Sequence, residues 1–355
     1  MIATSSTPYL RIILSMILSL VMISATQAFQ ATQQSTQQST QQSTQELPEQ
    51  KQETATQSSL SPLITAAELK ALIDSGEPSL RVLEPAVKID DFLRGHVPKA
   101  QYLHWVTDMT DPDNREQYNN LSSAQFAKLM NGLKLNNQNR IVIYDRLSSR
   151  LSTRLYWTLK YFGHGKVQIL DGGHQAWIAQ YRESDQIEHN TVENSKYKVR
   201  EANSEILAQM AFVEKHLNDP KTKFVDGRPV DQFRGDVEGQ IFHTKKAHPR
   251  NGHIPKAINV FWKDNFDKDG KFKSQAQLRK LYQNAGIQPD QCVVTYCNEG
   301  LHAAPPWCVL TQLLGYKNVK LYDSSMAEWA RSKNPMATSK KEGDQATSAQ
   351  SPEKK

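Results

Sequence analysis

Along the chain, apolar and polar positions alternate in three different ways. At the start, Ile12 to Ile23 (IILSMILSLVMI) is an almost unbroken apolar run, preceded by one positive charge, Arg11, and followed by the small residues Ala25, Thr26 and Ala28. A charged start, a short apolar run and small residues predict a secretory signal peptide over 1–28, and so an exported, periplasmic protein. About 12 residues are too few to cross roughly 30 Å of hydrocarbon comfortably, so no stable membrane span is expected after cleavage, with an uncleaved N-terminal anchor as the alternative. No cysteine follows the run, which excludes lipid attachment there. The sequence QQST then occurs three times, Gln33 to Thr44, within a low-complexity linker over 29–61. Such a segment has almost nothing to bury and cannot offset its ordering entropy. The tail over 333–355 is expected to be disordered for the same reason.

Between these ends the pattern repeats. FGHGKVQILDGGHQAW ends at Trp177 and LGYKNVKLYDSSMAEW at Trp329, an offset of 152 residues that also places Tyr144 and Asp145 (IVIYD) on Tyr296 and Cys297 (VVTYC). GHVPKA at Gly95 to Ala100 matches GHIPKA at Gly252 to Ala257, here at an offset of 157. A fixed internal period marks a duplicated structural unit. The copies are placed at 62–183 and 203–332, with a linker over 184–202. In each, short β-branched runs such as KFVD, CVVTY and NVKLYD alternate with helical patterns such as PPWCVLTQLLG. Strands separated by helices of this length imply right-handed crossovers, and therefore an α/β fold of two tandem domains, each a parallel sheet flanked by helices.

Composition agrees with two domains of ordinary size: 355 residues, 38% apolar, 16 Gly and 16 Pro. The formal charge of +6 falls to +5 once 1–28 is removed, because only Arg11 is lost. No dense Lys/Arg run interleaves with aromatics, so no nucleic-acid partner is expected.

Parallel sheets place their chemistry at the carboxyl ends of strands, and Cys297 stands there, directly after CVVTY. The chain continues Asn298, Glu299, Gly300, Leu301, His302, Ala303, Ala304, Pro305, Pro306 into an apolar helix. A short Gly-containing loop between strand and helix turns successive amides inward as an anion-binding nest, and a thiol at its start is pushed toward thiolate. Pro305 and Pro306 fit a first helical turn but remove two donors, so the cradle is expected from the amides of 298–304. A buried core cysteine is the competing reading. Cys292 lies five residues before Cys297 along the strand, about 16 Å at about 3.3 Å per residue, far beyond the roughly 7 Å that a disulfide spans. Cys308 falls within the apolar helix and reads as core.

The paired GHVPKA/GHIPKA turns, the VLEPAV and VDGRPVDQFRG openings, ILDGGHQAW and YCNEGLHAA together resemble the tandem rhodanese family of thiosulfate and 3-mercaptopyruvate sulfurtransferases, over 62–332. The resemblance implies an inactive first domain, with Asp145 at the place of a cysteine, and a catalytic second domain. It implies that Cys297 attacks the sulfane sulfur of a donor such as thiosulfate, carries it as a persulfide and passes it to a thiophilic acceptor, with no cofactor and no metal. Its small-molecule donor and acceptor are the expected partners.

Two departures bear on the substrate. CNEGLHA is neither the CRKGVTA nor the CGSGVTA of the family, and Glu299 sets a carboxylate where an anionic donor approaches, a conflict of about 1 to 4 kcal/mol. The family's substrate arginine after the opening DxR falls on Gln232, with Arg234 two residues on. These departures predict poor thiosulfate turnover. The second copy also has about 15 extra residues between Asp226 and His253, carrying His243, Lys245, Lys246, His248 and Arg250. They either fold toward the cysteine and counter Glu299 or form a solvated surface loop. Candidate substrate contacts are therefore Asn298, Glu299, Gly300, Leu301, His302, Ala303, Arg234, Lys246 and Arg250. His302 either donates to a bound anion or closes the loop sterically.

Because Gly252, His253 and Pro255 recur as Gly95, His96 and Pro98 in the copy without the cysteine, a structural turn is expected of them. Asp226 and Arg228 read as framework, the pairs Trp177/Trp329 and Tyr144/Tyr296 as core, and Arg146, Arg150 and Arg154 as mostly solvated or facing the other domain. A cysteine phosphatase is disfavoured, since Ala303 stands where that chemistry needs an arginine. A sulfur-binding or redox module without turnover is the alternative to the enzyme.

Overall fold

The computed structural model describes residues 60–114, 120–182, 196–242 and 244–338. The segment 1–28 expected to be a signal peptide, the QQST stretch, His243 and the tail beyond 338 lie outside the described residues. From Leu60 onward the chain forms one compact unit.

The two copies build two sheets with one topology. In the first, β1 (Leu63–Ile64), β2 (Leu80–Ala86), β3 (Ala100–His104), β4 (Arg140–Ile143) and β5 (Val167–Leu170) lie in the order β1-β5-β4-β2-β3. In the second, β6 (Leu207–Ala208), β7 (Thr222–Asp226), β8 (Ile258–Asn259), β9 (Cys292–Tyr296) and β10 (Val319–Tyr322) lie in the equivalent order β6-β10-β9-β7-β8. Every pairing between these strands is parallel. Strands of this kind are covered on both faces and carry apolar runs rather than alternation. All seven residues of β2 and all four of β10 are buried accordingly. Two helices begin with capping boxes at repeat-equivalent places, Ser122 with Gln125 and Ser274 with Gln277, which satisfy amides that the first turn leaves open.

The recurrent motifs are framework in both copies. Tyr144 Oη accepts from the amide of Val97 at 3.0 Å and Tyr296 Oη from that of Ile254 at 3.2 Å, so each central strand is tied to its Gly-His-Pro turn. His96 stacks on Phe92 and His253 on Phe233, with each Nδ1 bonded to the carbonyl of its ring partner. Arg228 and Asp226 form a buried ion pair, Nη2 to Oδ2 2.7 Å, and Arg228 also donates to Gly252 O. Trp177 and Trp329 are fully enclosed.

Docking of the two copies is itself a core. One apolar cluster runs without a break from Leu83, Trp157 and Leu159 in the first copy to Cys297, Trp307 and Leu310 in the second. At its centre the helix Arg150–Tyr161, buried from Leu151 through Leu159, packs on the helix Ala304–Cys308. Tyr156 Oη donates to Gln312 Oε1 at 2.9 Å across this contact. Polar anchors flank it: Asp323 accepts from the amide of Asn120 at 2.6 Å, and the repeat-equivalent Asp171 accepts from the amide of Phe272 at 2.9 Å.

Parts of the expected linker and of the expected disordered tail are ordered. Within the 184–202 linker, Tyr197 is buried and bonded to His164, and Lys198 pairs with Asn137. In the tail, Ala337 is buried and pairs with His253 as a small antiparallel bridge. A single apolar side chain with a waiting gap orders its neighbours, and composition averaged over twenty residues conceals it. Among the described residues, no helix is long and apolar enough to cross a membrane.

Candidate active site

Cys297 follows β9, a central strand, so its backbone is fixed on three sides. Its amide donates to Ser325 Oγ at 3.0 Å and its carbonyl accepts from Met326 N at 3.1 Å. Ser325 Oγ also accepts from Gly300 N at 3.2 Å and donates to Tyr322 O at 2.7 Å, which makes one hydroxyl the hub of the loop. Gly300 has φ +78°, and a Cβ there would lie 2.7 Å from Arg154 Nη1 and from Asp323 O. Only glycine fits a left-handed residue pressed this closely on its neighbours.

The loop closes over the sulfur as the nest reading expects. His302 N donates to Cys297 Sγ at 3.2 Å, and the amides of Glu299 and Ala303 act on the same sulfur. The thiol nevertheless departs from the expectation of a thiolate. Burial pushes it up to about 12, the Glu299 carboxylate adds to this, and the three amides recover only part of the difference. The helix that follows is also short: Ala304–Cys308 runs directly into a π-helical turn, Val309–Leu313. Desolvation therefore outweighs the favourable field of the loop.

Glu299 is itself only 1% exposed. The segment absent from the first copy covers it: Phe242 N is within 3.3 Å of both carboxylate oxygens, and burial pushes the carboxyl up to about 8. Of the two readings of this segment, folding toward the cysteine holds. Its contact with Glu299 is a backbone amide, while Lys245 acts at longer range. His248 Nε2 bonds Asn298 Oδ1 at 3.0 Å, and Asn298 Nδ2 donates to Gln232 Oε1 at 3.1 Å. Gln232 thus holds the loop from the position of the family's arginine.

The remaining candidates separate. Lys246 is exposed and Arg234 half-buried at the end of the helix Val230–Arg234. Arg250 is not brought to the sulfur: its guanidinium is spent on the carbonyls of Trp329, Ala330, Ser332 and Asn334, closing the end of the helix Ser325–Trp329. Leu301 is fully buried in the core behind the loop. His302 stacks on Trp262, with ring centroids 5.2 Å apart, and stands edge-on to Phe242. Burial lowers it to about 3, so it is neutral. Cys308 is buried in the core and Cys292 half-buried at the start of β9; both are free thiols. Among the described residues, no group of three or more His, Cys, Asp and Glu side chains converges as metal ligands would.

The arginines of the first copy are not mostly solvated. Arg146 pairs with Glu84 in its own domain. Arg154 is completely buried and pairs with Asp323 of the second copy, beneath Gly300. Arg150 reaches the site, its Nη1 lying 3.2 Å from His302 Nε2. Only the docking of the domains reveals the contacts of Arg154 and Arg150; the sole clue along the chain is that three arginines crowd the first copy's equivalent of the cysteine loop.

That loop is filled by its own anion. Asp145 Oδ1 accepts from Leu147 N and Ser149 N at 2.7 and 3.0 Å, and Oδ2 from Ser152 N at 2.7 Å. These three amides are thus already satisfied by a carboxylate of the chain itself.

Two stretches, 65–180 and 210–332, match the family model described as a rhodanese-like domain. The chain belongs to the rhodanese-like family. Over 256 residues, 71% of this chain and 88% of the relative, it is 34% identical to the sulfur carrier protein TtuD of Thermus thermophilus. Over 271 residues, 75% of this chain and 87% of the relative, it is 34% identical to a thiosulfate sulfurtransferase of Corynebacterium glutamicum. Among solved structures, this rhodanese-like chain superposes on the anaerobic ergothioneine biosynthesis enzyme from Chlorobium limicola with a TM-score of 0.70 at 21% identity, covering 78% of this chain and 70% of that one. At that identity the likeness carries the fold alone.

Proposed function

We propose that this rhodanese-like protein is a sulfurtransferase that carries sulfane sulfur on Cys297. The observation that carries this reading is the convergence of the amides of Glu299, His302 and Ala303 on Cys297 Sγ. Relatives named as a sulfur carrier and as a thiosulfate sulfurtransferase support it. Burial keeps the resting thiol protonated, so the thiolate forms at a cost, and the amides act on the sulfur as charge develops there. The Cys297 thiolate attacks the outer sulfur of a donor such as thiosulfate. A new S–S bond forms, the donor's S–S bond breaks, and sulfite leaves with the electron pair. A thiophilic acceptor then attacks the outer sulfur of the persulfide, and the electron pair returns to Cys297. The outer sulfur stands about 2 Å beyond Sγ, further into the cradle of amides, where its negative charge is stabilised.

Thiosulfate remains compatible with Glu299 on this reading. A carboxyl pushed up to about 8 is mostly protonated at neutral pH, so the like-charge conflict expected from the sequence is muted. Export rests on the sequence of 1–28, which lies outside the described residues. A second reading, a module that holds sulfur without turnover, is favoured by one observation, the complete enclosure of Cys297.

The test uses the mature protein and Cys297→Ser, each exposed to thiosulfate or 3-mercaptopyruvate. Intact mass spectrometry should show the gain of one sulfur atom in the wild type only, and cyanide should release it as thiocyanate. Gain without thiocyanate would select the holding module. No gain from either donor would overturn sulfur transfer from these donors.

A further inference from the structure

We propose that the catalytically silent first domain supplies the cation that anchors the sulfur donor at Cys297, and that this cation is Arg150. The inference rests on the reading of Cys297 as a sulfur carrier and concerns how that site recognises its substrate.

Arg150 opens the helix Arg150–Tyr161 of the first copy, but its head group belongs to the second copy's site. The guanidinium carbon lies 5.0 Å from the ring centre of Phe242 and 4.9 Å from that of Trp262. Two aromatic faces hold a planar cation in place without neutralising it. Arg150 Nε donates to Leu147 O at 3.1 Å, which fixes the start of the fork. Among the described residues, no carboxylate lies within ion-pairing distance of Arg150, whereas Arg154, one turn further along, pairs with Asp323. The carboxyls of Asp145 and Glu299 act on it only at longer range, so the half-buried guanidinium is left open to an anion.

His302 completes the arrangement. An arginine has no acceptor, so the 3.2 Å contact requires His302 Nε2 to carry the lone pair and Nδ1 the proton. That Nδ1–H is buried and has no hydrogen-bond partner. The backbone amide of the same residue donates to Cys297 Sγ. The residue whose amide touches the sulfur thus carries a spare donor and holds a fixed cation against its ring. Lys245 and Lys263 add positive field around the same imidazole, and Lys245 lies over the Phe242 ring at 4.9 Å.

The ligand class follows from the chemistry: a small oxyanion with delocalised charge, such as the sulfonate end of thiosulfate. Planar N–H donors match it, and it becomes the leaving sulfite once its outer sulfur has moved to Cys297. Gln232, where the family has its arginine, is neutral and occupied by Asn298. The cation has moved from the second domain's own helix to the neighbouring domain.

The test separates binding from turnover. Thiosulfate is titrated calorimetrically into Cys297→Ser protein that carries Arg150, R150Q or R150K. R150Q should weaken binding about tenfold or more, with R150K intermediate because it keeps charge but not the fork. In the active protein, R150Q should raise KM for thiosulfate by a similar factor with kcat within about threefold, and leave transfer from neutral dimethyl trisulfide within about twofold. Equal binding by all three proteins, or equal loss with both donors, overturns the role of Arg150. Arg150-dependent binding with no sulfur gained on Cys297 would leave the anion site standing and sink the sulfur-carrier reading instead. Should R150Q fail to fold, R150K decides: binding equal to that of Arg150 protein overturns the proposal, and binding weakened about threefold upholds it.

Discussion

The loops after β4 and β9 leave equivalent strands, yet they dispose of their converging amides in opposite ways. In the first, Asp145 turns its carboxylate back onto two amides of its own loop and one of the helix that follows, and the anion is built in. In the second, Cys297 presents a neutral thiol to a similar set, and the charge is left to arrive with the chemistry. What separates the domains is thus whether the cradle is already occupied. The fold around it is the same. The second loop also depends on the first copy for support and, by the inference above, for its cation, so the first domain is a wall of the candidate site.

The dependence of one loop on the other is most sharply broken at Arg154. Arg154→Met leaves the Asp323 carboxylate without its charged partner beneath Gly300, which should cost about 3–5 kcal/mol in urea denaturation. Loss of turnover at Cys297 should accompany it. A change under about 1 kcal/mol would mean that the second loop stands alone.

Glu299 tests the claim that the active loop is kept free of fixed charge. Its folded value, about 8, lies above the ordinary 4.5. The stabilisation is fully present below about 4.5 and is lost as pH rises through about 8, because the folded state keeps a proton that the unfolded chain has released. Glu299→Gln should remove this dependence and be more stable than wild type at pH 8 by about 2–4 kcal/mol. Melting curves at several pH values decide it. A wild type that is equally stable at pH 5 and 8 would contradict a buried, protonated Glu299. His302, lowered to about 3, acts on the other side, withdrawing stability as pH falls below about 6.5.

The smallest effect belongs to the silent loop. Asp145→Ala removes the carboxylate that accepts from Ser149 and Ser152 at the start of the helix Arg150–Tyr161, and should cost about 1–2 kcal/mol, as loss of a helix cap does. Denaturant midpoints measure it, and no loss would show that the built-in anion is ornamental.

Much of this was legible along the chain. The 152-residue repeat, the Tyr144/Tyr296 and Trp177/Trp329 pairs, and the Gly-His-Pro turns are local signals written twice, and duplication separates framework from chemistry. Cys297 was legible because a strand, a glycine loop and a helix pattern surround it in order. The position of Arg150 was not, since it depends on how two domains dock. Nor was the protonation of Glu299, because the amide of Phe242 and the burial that set it come from residues 57 positions away in sequence. The thiolate expectation failed for a related reason: loop dipoles can be read from a motif, but desolvation belongs to the packed whole.

Arg150 and His302 occupy equivalent places, 152 residues apart, and touch each other. In a dimer of identical subunits arranged this way, each would face its own copy across a two-fold axis, so an arginine there would meet an arginine. Joining the copies in one polypeptide lifts that constraint. The two sides of the axis can then differ, with Asp145 and Arg150 on one and Cys297 and His302 on the other, an asymmetry closed to a symmetric pair.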